Sequence, residues 1–381
     1  MDTAEAAALH LTGIFEKMEV PCRVLNTSEK GKHVVATADI PAQRDLFEEA
    51  PIVSWPAQGY VALGVPFCTH CLRQRAAATD ATEKQDDAAW RICDGCGSYF
   101  CSAKCESASK TAHRILCGAL RQLREEEHAE LPDADAGDGS DRPITKESLG
   151  RCVAWVVARI AASIKQQRFS GALLETQHTE QADSVARQLF HLACAPFNRL
   201  IDAPKGTEFS DVDAAAWYRT VESLLREPCR AALLEAASPP QSTSAAWAEE
   251  IVDALLRHDT LETFLGQMSL NSQAINGFVA HALPGAGAAA ATPSVEWVLK
   301  GGAVFTLQSA FNHSCDPNLA VGTLDGTHEI TLRTLRPVRS GEELTITYIP
   351  LLENSTAEQR QAKLRGYFFT CRCPRCQEGK Y

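Results

Sequence analysis

Residues 312–318 read Asn-His-Ser-Cys-Asp-Pro-Asn, residues 341–348 read GEELTITY, and residues 371–376 read Cys-Arg-Cys-Pro-Arg-Cys. The last block supplies three thiolates, one short of the four ligands of a closed structural zinc site, and Cys315 is the natural fourth. Upstream, Cys68-x2-Cys71, Cys93-x2-Cys96, Cys101-x3-Cys105 and His113-x3-Cys117 follow one another. These four pairs are enough for two further tetrahedral ions. A gap of two or three residues brings both donors of a pair to one side of a turn, and His113 and Cys117, four apart, share a helix face. The three sites use eleven of the fifteen cysteines. Cys22, Cys152, Cys194 and Cys229 remain, in apolar or helical contexts that suit core residues.

The rest of the composition sets limits on the answer. A chain of 381 residues has room for two or three domains, and 45% apolar with 22% charged residues are globular proportions. Its best apolar run, Cys152 to Ala162, is interrupted by Arg159 and falls short of the roughly 18 residues of a membrane-spanning helix. The first residues carry Asp2, Glu5, His10 and Glu16 without a basic region or an unbroken apolar one, so secretion is not expected. The expected location is cytoplasmic, nuclear or both, with thiols reduced and free for metal. With 37 basic against 48 acidic residues the net charge is −11. That balance predicts neither sequence-specific nucleic-acid binding nor membrane association. It suits a basic protein partner, and equally a surface that merely keeps the protein soluble.

Segments 133–142 (DADAGDGSDR) and 284–293 (PGAGAAAATP) break the pattern and read as a solvated linker and a loop. Between them Val153, Val156, Val157, Ile160 and Ile164 form an apolar stripe at helical spacing, and Ala182–Leu192, Val212–Arg226 and Ala245–Leu256 also read as helices. Outside this block Lys32–Ala38, Ala303–Leu307, Glu329–Leu335 and Leu344–Tyr348 are short β-prone runs. Strands at both ends with helices between predict an α+β fold, a β domain interrupted by a helical insertion.

The run CDGCGSYFCSAKCESASKTAHRILC, residues 93–117, resembles the MYND finger, a cross-braced zinc module that binds proteins. That resemblance implies one ion shared by Cys68, Cys71, Cys101 and Cys105 and a second shared by Cys93, Cys96, His113 and Cys117. Its one departure is the 21-residue gap between Cys71 and Cys93, filled by the polar stretch ATDATEKQDD. NHSCDPN, GEELTITY and CRCPRC in this order, behind such a finger, resemble the SET domain with its post-SET zinc loop. Lys30-Gly31-Lys32-His33-Val34-Val35-Ala36-Thr37 resembles its opening turn. The chain is thereby identified as similar to the SET and MYND domain (SMYD) family of protein lysine methyltransferases. Its nearest branch is the one without a C-terminal helical-repeat domain, which holds the fifth animal SMYD protein and fungal Set-type relatives.

The resemblance implies a SET β-fold of short, mostly antiparallel strands, split by the finger and a helical insertion. Residues 20–66 would be the N-terminal part of SET, 67–117 the finger, 118–268 the insertion, 269–350 the C-terminal part and 351–381 the post-SET loop. The implied cofactors are S-adenosylmethionine and three zinc ions, the third held by Cys315, Cys371, Cys373 and Cys376. Tyr348 matches the catalytic tyrosine. Asn312, His313, Asn271 and Phe369 match residues that contact the cofactor, with Lys32 and His33 meeting it chiefly through backbone and Tyr348 lying beside it. Gln273 stands where many relatives have a channel phenylalanine, and Tyr367 would form another channel wall. Without the motif context Tyr348 and Phe369 are ordinary core aromatics, and Asn312-His313 a pair that satisfies its own turn.

The expected activity is transfer of a methyl group to a lysine of a protein substrate, histone or non-histone such as a ribosomal protein, by a monomer whose finger engages a protein partner. The alternative is a catalytically inactive SET scaffold acting as a finger-bearing adaptor. A zinc-dependent DNA-binding regulator is disfavoured by the charge.

Overall fold

The computed structural model describes residues 3–75, 90–128, 144–169, 179–207, 213–237, 244–281, 294–324, 326–351 and 355–378. The polar stretch of the finger (78–87), the linker 133–142 and the loop 284–293 lie outside them.

In chain order, helix α1 (Thr3–Lys17) precedes strands β1 (Cys22–Thr27), β2 (Gly31–Ala36), β3 (Asp45–Glu49) and β4 (Val53–Pro56) and the short α2 (Gln58–Ala62). The cysteine-rich unit contributes β5 (Arg91–Ile92), β6 (Tyr99–Phe100) and α3 (Ala103–Leu116). A helical block follows: α4 (Leu120–His128), α5 (Lys146–Phe169), α6 (Thr179–Cys194), α7 (Ala214–Ala236), α8 (Ser244–Leu256) and α9 (His258–Asn271). The chain then returns to strand with β7 (Ser272–His281), β8 (Ser294–Val304), β9 (Asn312–His313), β10 (Leu319–Thr323), β11 (Ile330–Thr334) and β12 (Glu343–Ile346), and ends in α10 (Ala357–Leu364) and α11 (Pro374–Gln377). The fold is therefore mixed α+β with short strands. Among the described residues no helix is long and apolar enough to cross a membrane.

Three small sheets carry the β part, in orders β1-β2-β12-β9, β10-β11-β3 and β4-β8-β7. Each joins strands from both sides of the helical block, so neither half can complete a sheet alone. Pairing is antiparallel except between β9 and β12. The β1–β2 hairpin turns at Gly31, whose φ of +62° suits glycine. β8 crosses β4 closely at Trp55, which is fully buried, and a Cβ at Gly302 would lie 2.7 Å from its ring.

Two large cores result. Val24, Val34, Phe47, Phe305, Phe311, Leu332 and Ile346 fill one, and Phe15 of α1 completes it with edge-on contacts to Phe47 and Phe311 at 5.6 and 6.2 Å. The other is helical: Val153, Val156, Val157 and Ile160 lie on α5, which packs against α7 and α6, and Ile115 and Leu116 of α3 join them. A buried ionic hub ties the parts together. Glu147 is 3% exposed at its side chain and takes Arg124 at 2.7 Å and Arg151 at 2.8 Å. Arg151 reaches on to the carbonyls of Thr69, at 2.9 Å, and Ser54, at 3.2 Å.

Two expected boundaries shift. α7 runs through Pro228 to Ala236 rather than stopping at Arg226. Proline removes one helical hydrogen bond, and a stripe of Val221, Leu225, Cys229, Ala232 and Leu233, all buried, holds the helix across it. The strand expected at Ala303–Leu307 ends at Val304, because the amides of Leu307 and Gln308 turn to the carboxylate of Glu49 at 2.7 and 2.9 Å.

Candidate active site and thiolate centres

The parallel bridge sets Asn312 against Thr345 and His313 against Ile346. Asn318 closes the loop between them. It is 1% exposed, and its amide donates to the carbonyl of Glu343 at 2.8 Å and accepts from the amide of Thr345 at 2.8 Å. The side chain thus stands in for a strand neighbour of β12, a role that the motif alone does not announce.

Tyr348, two residues beyond β12, is held from both ends. Its amide donates to Nδ1 of His313 at 3.0 Å, and its hydroxyl donates to the carbonyl of Phe311 at 2.7 Å. Because Nδ1 accepts, His313 carries its proton on Nε2, which lies 3.3 Å from Sγ of Cys315. Burial, with the charge of Arg360 adding to it, lowers the imidazole to about 4. Burial likewise pushes the Tyr348 phenol well above its ordinary value, with smaller effects from Tyr367 and Glu343. The ring of Tyr367 lies 5.1 Å from that of Tyr348, and its hydroxyl donates to the Tyr348 carbonyl at 3.3 Å. Phe369 completes the cluster at 6.0 Å from His313 and 6.3 Å from Tyr348, still 38% exposed. Four of the sequence-expected residues therefore converge.

The opening turn meets them at Asn312, whose Nδ2 donates to the carbonyl of Lys30 at 3.1 Å and to Glu343 at 3.2 Å. The Glu343 carboxylate also pairs with Lys30 at 2.6 Å. Lys32 and Asn271 reach across to the segment before α7. Nζ of Lys32 donates to the carbonyl of Arg199 at 2.8 Å, and burial lowers this amine to about 8. The Asn271 amide donates to the carbonyls of Ile201 at 2.9 Å and Gln267 at 2.7 Å and accepts from the Ile201 amide at 3.2 Å. Both side chains thus grip one segment, 199–201, which the sequence did not single out. His33 is buried, and its Nδ1 lies 3.0 Å from the Gly31 carbonyl of its own turn. Gln273 sits on β7 facing Gln308, which donates to it at 3.0 Å. Burial raises Glu49 to about 7 against the lowering effect of the backbone amides it accepts.

Three tetrads of soft donors assemble: Cys68, Cys71, Cys101 and Cys105; Cys93, Cys96, His113 and Cys117; and Cys315, Cys371, Cys373 and Cys376. Within each, all donor atoms lie within 4.8 Å of one another. Zinc bound at 2.3 Å by four thiolates places them about 3.8 Å apart. The observed separations are 3.5 Å for Cys71–Cys101, 3.6 Å for Cys93–Cys117 and 3.6 Å for Cys315–Cys376, far beyond a disulfide bond. The donor sets fit zinc in number, chemistry and spacing. Arg360, 1% exposed, donates to the carbonyls of Ser355 and Arg375 and approaches Sγ of Cys376 at 3.8 Å, placing a buried positive charge beside the third tetrad. Cys22, Cys152, Cys194 and Cys229 are buried apart from the tetrads. Burial pushes Cys22, Cys194 and Cys229 up to about 12, the behaviour of inert core thiols.

The chain matches the SET domain family over residues 31–349. It is 22% identical over 366 residues to a SET and MYND domain-containing protein of Dictyostelium discoideum, covering 94% of this chain and 60% of that one. It is 22% identical over 385 residues to chicken protein-lysine N-trimethyltransferase SMYD5, covering 92% of this chain and 84% of the relative. Arabidopsis thaliana histone-lysine N-methyltransferase ASHR2 is 25% identical over 368 residues, covering 95% and 73%. The match spans the parallel bridge, Tyr348 and the sheets that frame them, and the chain belongs to the SET domain family, within its SET-and-MYND branch.

Proposed function

We propose that this chain is a protein-lysine N-methyltransferase that takes its methyl group from S-adenosylmethionine. The observation that carries the reading is the convergence of Asn312, His313, Tyr348, Tyr367 and Phe369 around one parallel bridge. Their chemistry fits the cofactor. Phe369 keeps an exposed aromatic face for an adenine ring. Asn312, with its Nδ2 already engaged, retains Oδ1 as an acceptor for an ammonium group. Lys32 and Asn271 hold segment 199–201 in place.

When bound, S-adenosylmethionine supplies an electrophilic methyl on a positively charged sulfur. The attacking lysine must be neutral, although its free pKa is about 10.4. The aromatic walls of Tyr348 and Tyr367 desolvate the amine and favour the uncharged form. Tyr348 remains a phenol at neutral pH, with its hydrogen committed to Phe311. Its oxygen lone pairs are left to accept an amine N–H and so aim the nitrogen lone pair at the methyl carbon. It positions rather than abstracts. Zinc in the two finger tetrads would stabilise a protein-docking unit, and zinc in the third would fix the segment bearing Tyr367 and Phe369. The names of the chicken and Arabidopsis relatives support a protein lysine as acceptor.

The test is incubation of the zinc-loaded protein with methyl-labelled S-adenosylmethionine and the proteins of a cell extract, with calorimetric cofactor binding alongside. Labelled protein bands and cofactor binding are expected. Neither labelling nor cofactor binding by the folded protein would leave a finger-bearing adaptor as the better reading.

A further inference from the structure

Strand β3 holds the stretch that leads into the parallel bridge at two points. Phe47 and Glu49, two apart on this strand, share a face. The ring of Phe47 stacks on that of Phe311 at 6.2 Å. Both carboxyl oxygens of Glu49 accept main-chain amides, Oε1 from Leu307 at 2.7 Å and Oε2 from Gln308 at 2.9 Å. These amides open the 3-10 turn Gln308–Ala310, where first-turn donors have no acceptor within the turn and Leu307 has no side chain able to cap them. The turn closes through the Ala310 amide on the Leu307 carbonyl at 3.0 Å and the Phe311 amide on the Gln308 carbonyl at 3.2 Å. It delivers Phe311, whose carbonyl takes the Tyr348 hydroxyl at 2.7 Å, and directly afterwards Asn312 and His313 of β9.

Resting on the methyltransferase reading, we propose that Glu49 is a positioning residue for methyl transfer: its ionised carboxylate clamps the turn that presents Phe311 and Asn312 to the active site, and proton uptake loosens that clamp. A carboxylate accepts at both oxygens, whereas a carboxylic acid carries a donor on one of them. Protonation therefore sets an O–H against an amide that also donates, and one of the two bonds is lost. The change falls near neutral pH, because burial raises the carboxyl to about 7 while the amides of Leu307, Gln308 and Thr306 oppose it. Among the described residues the charged side chains of the neighbourhood are engaged elsewhere. Ile330 of β11 stands opposite Glu49, and α1 turns Phe15 towards Phe47. Asp45 and Arg333 pair with each other at 2.5 Å at the far end of the strand, and Glu48 alternates to the other face. Above pH 7 both amides are held, and below it one is released.

The experiment compares zinc-loaded wild type and Glu49→Gln between pH 6 and pH 8.5, with melting temperature as the folding control. Hydrogen exchange read by mass spectrometry on the peptide spanning residues 305–311, corrected for the ordinary rise of exchange with pH, reports the clamp. Initial rates of labelled methyl transfer from S-adenosylmethionine to extract proteins report its use. Glutamine keeps one acceptor and sets an N–H against the second amide. At pH 8 the variant should lose about tenfold in protection, the order of one hydrogen bond to a charged group. Its transfer rate should fall about ten- to hundredfold, the scale of a misplacement of about 1 Å in a reacting constellation. At pH 6 wild type should approach the variant in both, and the variant should lack the step near pH 7. Protection equal to that of wild type, lost protection with an unchanged rate, or a step near pH 7 that persists in the variant would overturn the proposal. Should Glu49→Gln fail to fold, the wild-type exchange profile decides, and protection that stays level through pH 7 overturns the clamp. An exchange step near pH 7 in a wild type that transfers no methyl at any pH would instead overturn the methyltransferase reading.

Discussion

The hydroxyl of Tyr348 donates to the main-chain carbonyl of Phe311 at 2.7 Å, so this side chain is anchored to the segment that precedes Asn312. Tyr348→Phe removes both that anchor and the lone pairs that would aim the amine. Methyl transfer should fall about 10²- to 10³-fold, the scale seen when one positioned polar group is removed from an active site. Stability should fall by only about 1 kcal/mol, and cofactor affinity should change little. Single-turnover transfer and calorimetry on the same preparation separate these effects. An equal loss in binding and rate would mean that the tyrosine holds the cofactor rather than the amine.

Phe311 is itself braced. Its ring lies 6.2 Å from Phe15 of α1 and 6.2 Å from Phe47 of β3. Phe15 is fully buried, so Phe15→Ala should cost about 3–5 kcal/mol. Because the vacated space lies under Phe311, methyl transfer should weaken as well, at temperatures where the protein remains folded. Denaturant unfolding read together with activity below the transition checks both effects.

The third tetrad can be tested apart from the finger. Cys371→Ser should lower the zinc content from three ions per chain to two, since only one of the three tetrads loses a donor. Tyr367 and Phe369 lie within a few residues of Cys371, so cofactor affinity should fall at least about tenfold while the helical core melts as before. Metal analysis and calorimetric binding give the two numbers. Retention of all three ions would show that the introduced hydroxyl is tolerated as a ligand or that the fourth ligand lies elsewhere.

What the sequence made legible was chemistry at short range. Cysteine pairs two or three residues apart, the Asn312-His313 pair and the Tyr348 motif each carry their meaning within a few residues, and the structure gathers them. What stayed hidden acts across long separations. Glu49 receives the Leu307 amide from 258 positions away, and Lys32 holds Arg199 across 167. Nothing local marks either partner. Asn318 lay inside the decisive motif, yet its role as a strand mimic depends on a register that only folding supplies. Helix α1 did carry a signal, with Ala8, Leu11 and Phe15 buried at helical spacing in a segment read only for a leader. The β7–β8 hairpin carried less, because Gly277, Gly301 and Gly302 interrupt its β-prone residues.

The hub at Glu147 makes acid stability measurable. Burial alone would raise this carboxyl, but the guanidinium groups of Arg124 and Arg151, through charge and hydrogen bonds, outweigh it and hold the group at about 2. The ordinary value is 4.5, so over the interval between the two the unfolded chain binds the extra proton. Stability from this group is thus complete above pH 4.5 and drains away as pH falls toward 2, by about 3 kcal/mol in all. Glu147→Gln should cost about 3–5 kcal/mol at pH 7, because two arginines are left without their anion in a buried setting. The variant should also lose that part of the acid slope, so that wild type and variant approach each other in stability as pH drops from 4.5. Arg151 carries the hub to Ser54 and Thr69, so the variant should in addition loosen the contact between β4 and the first cysteine pair. Urea unfolding at several pH values checks the sign directly. A gap between the two proteins that widens with acid would mean that Glu147 is protonated in the fold and that the arginines are neutralised by other groups.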